Sequence, residues 1–133
     1  MPLCLTAGTV SVVLAVNAFT LAWTHSIEKI RWEEDWQVAG NRLQVVAARI
    51  RGSGAGMEAP AGAVLQDGVW HYRPAMPAQE ALLLTRSPYA ADHELCYGAR
   101  CRSLGDLLPG LEVSAVVKIA PCGGSTATGG DNR

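Results

Sequence analysis

Apolar side chains recur at alternate positions through Ile30-Arg31-Trp32-Glu33-Glu34-Asp35-Trp36-Gln37-Val38, with Glu34 the one polar residue in the apolar set. A period of two fits a β-strand with one buried face. It does not fit a helix, whose apolar positions recur every three or four residues. Ala39-Gly40-Asn41-Arg42 reads as a turn, and Leu43 to Ile50 returns with Leu43, Val45 and Ala47 on one face. The pair is a hairpin carrying two tryptophans on a single strand face.

The same reading extends along the chain. Phe19, Leu21, Trp23 and His25 alternate with Thr20, Ala22, Thr24 and Ser26. Val64 to Tyr72 holds Asp67-Gly68 between apolar flanks, the strongest short hairpin pattern present. Pro74 and Pro77 mark a loop, and Leu82-Leu83-Leu84 reads as a brief buried strand. Glu94 to Leu104 is another hairpin with Tyr97-Gly98-Ala99-Arg100 at its tip. Ser103 to Leu108 is one helical turn, capped by Ser103 and stopped by Pro109. Glu112 to Ile119 is the last strand, with Val113, Ala115, Val117 and Ile119 on one face. Gly123 to Arg133 is a Gly/Ser/Thr tail expected to be disordered. Many short strands with almost no helical periodicity imply one all-β domain over residues 1–122. It is a small sandwich or partly open barrel of about eight antiparallel strands with at most one short helix.

A chain of 133 residues suits one domain. Its net charge of -1, with scattered basic residues, gives no case for nucleic acid or for an acidic membrane surface.

No charged side chain occurs between Met1 and Ile27. A secretory signal would carry Lys or Arg near its start, though Val16-Asn17-Ala18 resembles a weak cleavage site. A membrane span is long enough from Pro2 to Trp23, but Thr6, Gly8, Thr9, Ser11 and Asn17 interrupt it. The preferred reading is a pair of buried strands, the first at Leu3 to Leu5 with Thr6-Ala7-Gly8 as its turn.

Four cysteines form an even set. Cys96 and Cys101 flank the tip of a tight hairpin, which would bring them face to face. Cys4 lies in the first strand and Cys122 just after the last, so a Cys4–Cys122 bridge would clasp the termini. Reduced, buried cysteines are the alternative. The spacing does not suit zinc, and no metal or cofactor is expected.

Candidate ligand-binding residues are His25, Ser26, Glu28, Glu34, Gly54 and Gly56. His25 and Glu28 could act as a base and its orienting partner, but neighbours on a strand face opposite ways, so His25 and Ser26 should not meet. Their plainer role is a strand end satisfied by backbone hydrogen bonds. Glu34 lies between Trp32 and Trp36 on the inner face. There it is paired with His25 or an arginine, or lines a ligand pocket, or else sits solvated at an edge. Gly52-Ser53-Gly54-Ala55-Gly56 could present N–H groups to an anion. It lacks the Gly-Lys-Ser/Thr of a phosphate loop and reads first as a tight connection. His71 and His93 lack metal-ligand spacing, and Trp23, Trp32, Trp36 and Trp70 are read as core.

The stretch Phe19-Thr-Leu-Ala-Trp-Thr-His25-Ser-Ile-Glu-Lys29, with Trp32-Glu-Glu-Asp-Trp36, resembles a bacterial domain-of-unknown-function family, number 1850. The likeness continues through Gly52-Ser-Gly-Ala-Gly-Met57-Glu, Asp67-Gly-Val-Trp-His-Tyr72, and Leu95-Cys96 to Cys101-Arg102, so it spans about residues 3 to 122. The resemblance implies association with TAXI-type transporters of the tripartite ATP-independent periplasmic class. It implies no activity and no catalytic residues. It places the domain's first strand at about Leu3, which leaves no separate export signal: either the true start lies upstream or the domain stays inside the cell.

The leading expectation is a non-enzymatic accessory or binding domain outside the cytoplasm, partnered by a permease or solute-binding protein. The rival is a small-ligand or metal-binding β-barrel lined by His25, Glu28 and Glu34. A hydrolase using Ser26 or Ser53 comes last, because no nucleophile motif supports it.

Overall fold

The chain is described by a computed structural model covering residues 1–24, 30–51 and 60–123. Its strands begin with β1 (Leu3–Ala7), β2 (Val10–Leu14), β3 (Ala18–Thr24), β4 (Arg31–Ala39) and β5 (Arg42–Arg51). They continue with β6 (Val64–Gln66), β7 (Val69–Tyr72), β8 (Leu82–Thr85), β9 (Glu94–Tyr97) and β10 (Arg100–Ser103). Helix α1 (Leu104–Leu107) and β11 (Val116–Pro121) complete the described fold.

These strands form two antiparallel sheets. One runs β2-β1-β11-β8, and the other β10-β9-β3-β4-β5-β7-β6. The architecture is a β-sandwich, not a closed barrel. Among the described residues it holds eleven strands rather than about eight. Part of the excess is β2, where Val10, Val12 and Leu14 turn inward and Ser11 and Val13 outward.

The core lies where the four-stranded sheet covers the larger one. Leu3, Leu5, Val117 and Ile119 meet Phe19, Leu21, Trp36, Val45 and Leu95 there, all almost fully buried. Leu104 and Leu108 of the α1 region seal one side. Ser103 caps α1 by accepting the Asp106 N–H at 3.1 Å, which satisfies one of its free first-turn donors.

The alternation of β4 places Trp32, Glu34, Trp36 and Val38 inward and Arg31, Glu33, Asp35 and Gln37 outward. Its partner departs from the simple pattern. Asp35 pairs with Ala47, but Trp36 pairs with Val45, so Val46 is an extra residue in β5. This bulge flips the parity. Leu43, Val45, Ala48 and Ile50 face the core, and Ala47, expected there, does not.

Two further expectations are corrected. The last strand begins at Val116, not Glu112, and Val113 is exposed. The Arg86 guanidinium donates to the Leu111 and Glu112 carbonyls, and its main-chain N–H donates to Ala115. Those carbonyls are held by Arg86 instead of joining a ladder. Leu83 is not buried either: it is 67% exposed, pointing outward between inward Leu82 and Leu84.

All three hairpins expected from sequence are present. Asp67-Gly68 and Gly98-Ala99 are the two-residue tips of two of them, with positive φ at all four residues. That is the geometry of tight hairpin turns, whose twist matches the strands. The structure joins Cys96 to Cys101 across β9 and β10, and Cys4 to Cys122 across the termini.

Candidate functional site

The site grows from one cross-strand row on the inner face of the larger sheet. Leu21, Glu34, Ala48 and Tyr72 are direct neighbours across β3, β4, β5 and β7. The adjoining row is Trp23, Trp32, Ile50 and Trp70. Trp23 and Trp32 stack with centroids 6.1 Å apart. On the other side of Glu34 along β4 stands Trp36, 2% exposed. One carboxylate is thus set among three indoles.

A cleft of about 280 Å³ opens over this carboxylate. Leu21, Trp23 and Trp36 form its floor, and Leu82 and Leu84 of β8 form a wall. Met76 and Gln79 close over it. That segment is fixed to β5: Leu43 and Gln79 exchange two main-chain hydrogen bonds of 2.7 Å, and Gln44 Nε2 donates to the Met76 carbonyl. His93 completes the lining, its ring tilted against Trp23 at 6.2 Å.

Glu34 Oε1 accepts the Trp36 indole N–H at 3.1 Å. Among the described residues no cation pairs with it. Burial pushes its carboxyl above the ordinary value, and the indole hydrogen bond only partly offsets this. Burial and the nearby Glu34 charge both raise the Tyr72 phenol. Burial lowers the His93 imidazole, with Asp92 opposing, so the ring is neutral at pH 7.

The outer face of the same strands is the opposite case. Glu33 accepts from Arg31, Arg49 and Arg51, and Asp35 accepts two bonds from Arg49 and one from Thr20. Arg31 also reaches Glu94 at 3.0 Å. Ala22 lies between Glu33 and Glu94 in register, so the Arg31 fork crosses above it. Three acids meet three arginines, and the surface compensates itself.

Of the residues singled out from sequence, Glu34 stands on the inner face at the cleft. His25, Ser26, Glu28, Ser53, Gly54 and Gly56 lie outside the described residues, as does the tail after Gly123. His93 was legible by parity, since it stands two residues before inward Leu95, but its lack of metal spacing hid it. Trp36 is core as read and Trp23 packs against that core, and both also line the cleft. Among the described residues no three His, Cys, Asp or Glu side chains gather as metal ligands. No described helix is long and apolar enough to cross a membrane. A larger depression of about 690 Å³ lies beside Met1, Ala15–Ala18 and Tyr97, but no carboxylate, imidazole or thiol lines it.

Fold and site define a disulfide-bonded β-sandwich with an apolar, carboxylate-bearing cleft. The chain belongs to the domain of unknown function family DUF1850, whose model matches residues 19–104. That match is shorter than the span read from sequence, but it contains every described residue lining the cleft. No curated protein and no solved structure matches the chain.

Proposed function

We propose that this domain is a non-enzymatic, extracytoplasmic binding module that takes a small molecule into the Glu34 cleft in the service of a TAXI-type transporter. The observation carrying the binding reading is a mostly apolar cleft whose polar lining residues are Glu34, Gln79 and His93, the first a carboxylate without a described cation. Clefts of this composition are the usual form of small-molecule sites, and its volume suits a ligand below drug size. Two disulfides support an oxidising compartment, and hence a place beside a periplasmic transporter. The transporter itself comes from the family resemblance, with permease or solute-binding protein as the partner.

Native mass spectrometry of protein from its own cells tests the cleft. We expect a small-molecule adduct that disappears in Leu84→Trp, which fills the cleft. No adduct, or one that survives the filling, overturns the binding reading. Co-purification from the same membranes tests the partner: recovery of neither permease nor solute-binding protein overturns the transporter link.

A further inference from the structure

We infer that the ligand is a small organic ammonium ion, with its charge on the Glu34 carboxylate and its apolar body against Trp23, Trp36 and the leucines of β8. This rests on the cleft being the binding site and adds the chemical class of what enters it.

The argument starts from a contrast within the molecule. Glu33, Asp35, Asp92 and Glu94 are each bonded to an arginine at 3.3 Å or less. Glu34 lies on the inner face, and its only side-chain partner among the described residues is a neutral indole N–H. A half-buried carboxylate in apolar surroundings is costly unless a positive charge joins it. Burial keeps the neighbouring His93 uncharged, so that ring does not supply the charge.

The walls favour a particular kind of cation. Indole rings attract ammonium groups through the ring quadrupole. Trp23 and Trp36 line the cleft beside the carboxyl, and Trp32 stacks behind Trp23. Hard metal ions want six or more oxygen ligands, which this lining does not offer. An anionic ligand would meet Glu34 with no lysine or arginine among the described lining residues. An alkyl ammonium satisfies both the carboxylate and the leucines.

Calorimetric titration of the full chain with hexylammonium, hexanol and hexanoate at pH 7.5 tests this, because the three probes differ mainly in charge. We expect hexylammonium to bind at least about tenfold more tightly than hexanol, a factor worth about 1.4 kcal/mol. Hexanoate should be weakest. In Glu34→Gln, which keeps the shape and an acceptor for Trp36, the ammonium preference should vanish while hexanol binding persists. Equal binding of ammonium and alcohol, or a preference for hexanoate, overturns the ammonium class and leaves the cleft reading intact. An ammonium preference that survives Glu34→Gln also overturns it. No binding by any probe removes the inference together with the cleft reading.

Discussion

Glu33 and Glu34 are neighbours in the chain and lie on opposite faces of β4, where their surroundings drive their acidities apart. Burial raises the Glu33 carboxyl, but hydrogen bonds from Arg31 and Arg49 and the charge of Arg51 outweigh it and leave the group lowered. Burial raises Glu34 too, and there only an indole N–H opposes it. One residue of the pleat separates a carboxylate held charged from one held toward neutrality.

Replacing Glu34 by Gln should change how stability depends on pH. A carboxyl whose folded pKa is raised binds its proton more tightly in the folded state, so its ionisation destabilises the fold as pH rises from about 4.5 through the raised value. Among the described residues, Trp36, Tyr72 and His93 surround this titration, and none is a cation at neutral pH. Thermal melts of Glu34→Gln and the parent should therefore agree near pH 4, with the variant more stable at pH 7. The gain should not exceed about 1 kcal/mol, since water partly screens a half-buried group. A variant less stable than the parent at pH 7 would show that the charged carboxylate has a structural partner.

Glu33→Gln should act in the opposite sense. It leaves Arg31, Arg49 and Arg51 facing one another without the carboxylate that all three share. A loss of about 2–3 kcal/mol at pH 7 is expected, below the full cost of breaking a buried pair because Arg51 is half exposed. In the parent, the lowered groups Glu33 and Asp35 add stability above about 4.5 and 3.8, and that stability is lost as pH falls through their folded values. The acid limb of the stability curve should be shallower in Glu33→Gln. Urea unfolding between pH 2.5 and 7 measures both effects, and an unchanged acid limb would rule out Glu33 as its source.

Most of this arrangement can be read from the alternation of Ile30 to Val38, because period two fixes which side chains share a face and so puts Glu34 among tryptophans. The bulge at Val46 cannot be read that way. Val45, Val46, Ala47 and Ala48 are all apolar, so parity within that run depends on the register with β4. Val113 and Ala115 fail for another reason: they alternate correctly, but Arg86, distant in sequence, ties up the carbonyls of Leu111 and Glu112. The cleft needs Met76 and Gln79 brought over β4, a tertiary relationship that no local pattern encodes.

Ala99 offers a gain in stability at one position. It sits at φ 65° in the β9–β10 tip, a left-handed conformation that costs a side-chain-bearing residue roughly 1–2 kcal/mol. Ala99→Gly removes that cost, while glycine's greater freedom in the unfolded chain offsets part of it. The net expectation is a gain of about 1 kcal/mol, read as a higher urea midpoint with unchanged slope. A lower midpoint would mean that the Ala99 methyl makes contacts worth more than the strain.

The two disulfides should contribute unequally. In the chain-entropy account a bridge stabilises by restricting the unfolded chain, and its effect grows with the loop it closes. Cys4–Cys122 has a sequence separation of 118, while Cys96–Cys101 has one of 5 across a hairpin already set by its turn. Removing the first by Cys4→Ala with Cys122→Ala should cost about 4–5 kcal/mol, and removing the second by Cys96→Ala with Cys101→Ala about 2 kcal/mol. The larger loss is a sizeable share of the ~5–15 kcal/mol that holds a typical domain folded. It falls on the joint between β1 and β11, where the Cys122 N–H also donates to the Pro2 carbonyl at 3.0 Å. Reductant should therefore act on the four-stranded sheet first, and that sheet supplies the β8 wall of the cleft. The clasp variant should lose both stability and hexylammonium binding, whereas the hairpin variant should keep its binding. Equal losses of stability in the two variants would show that loop entropy is not what the clasp contributes.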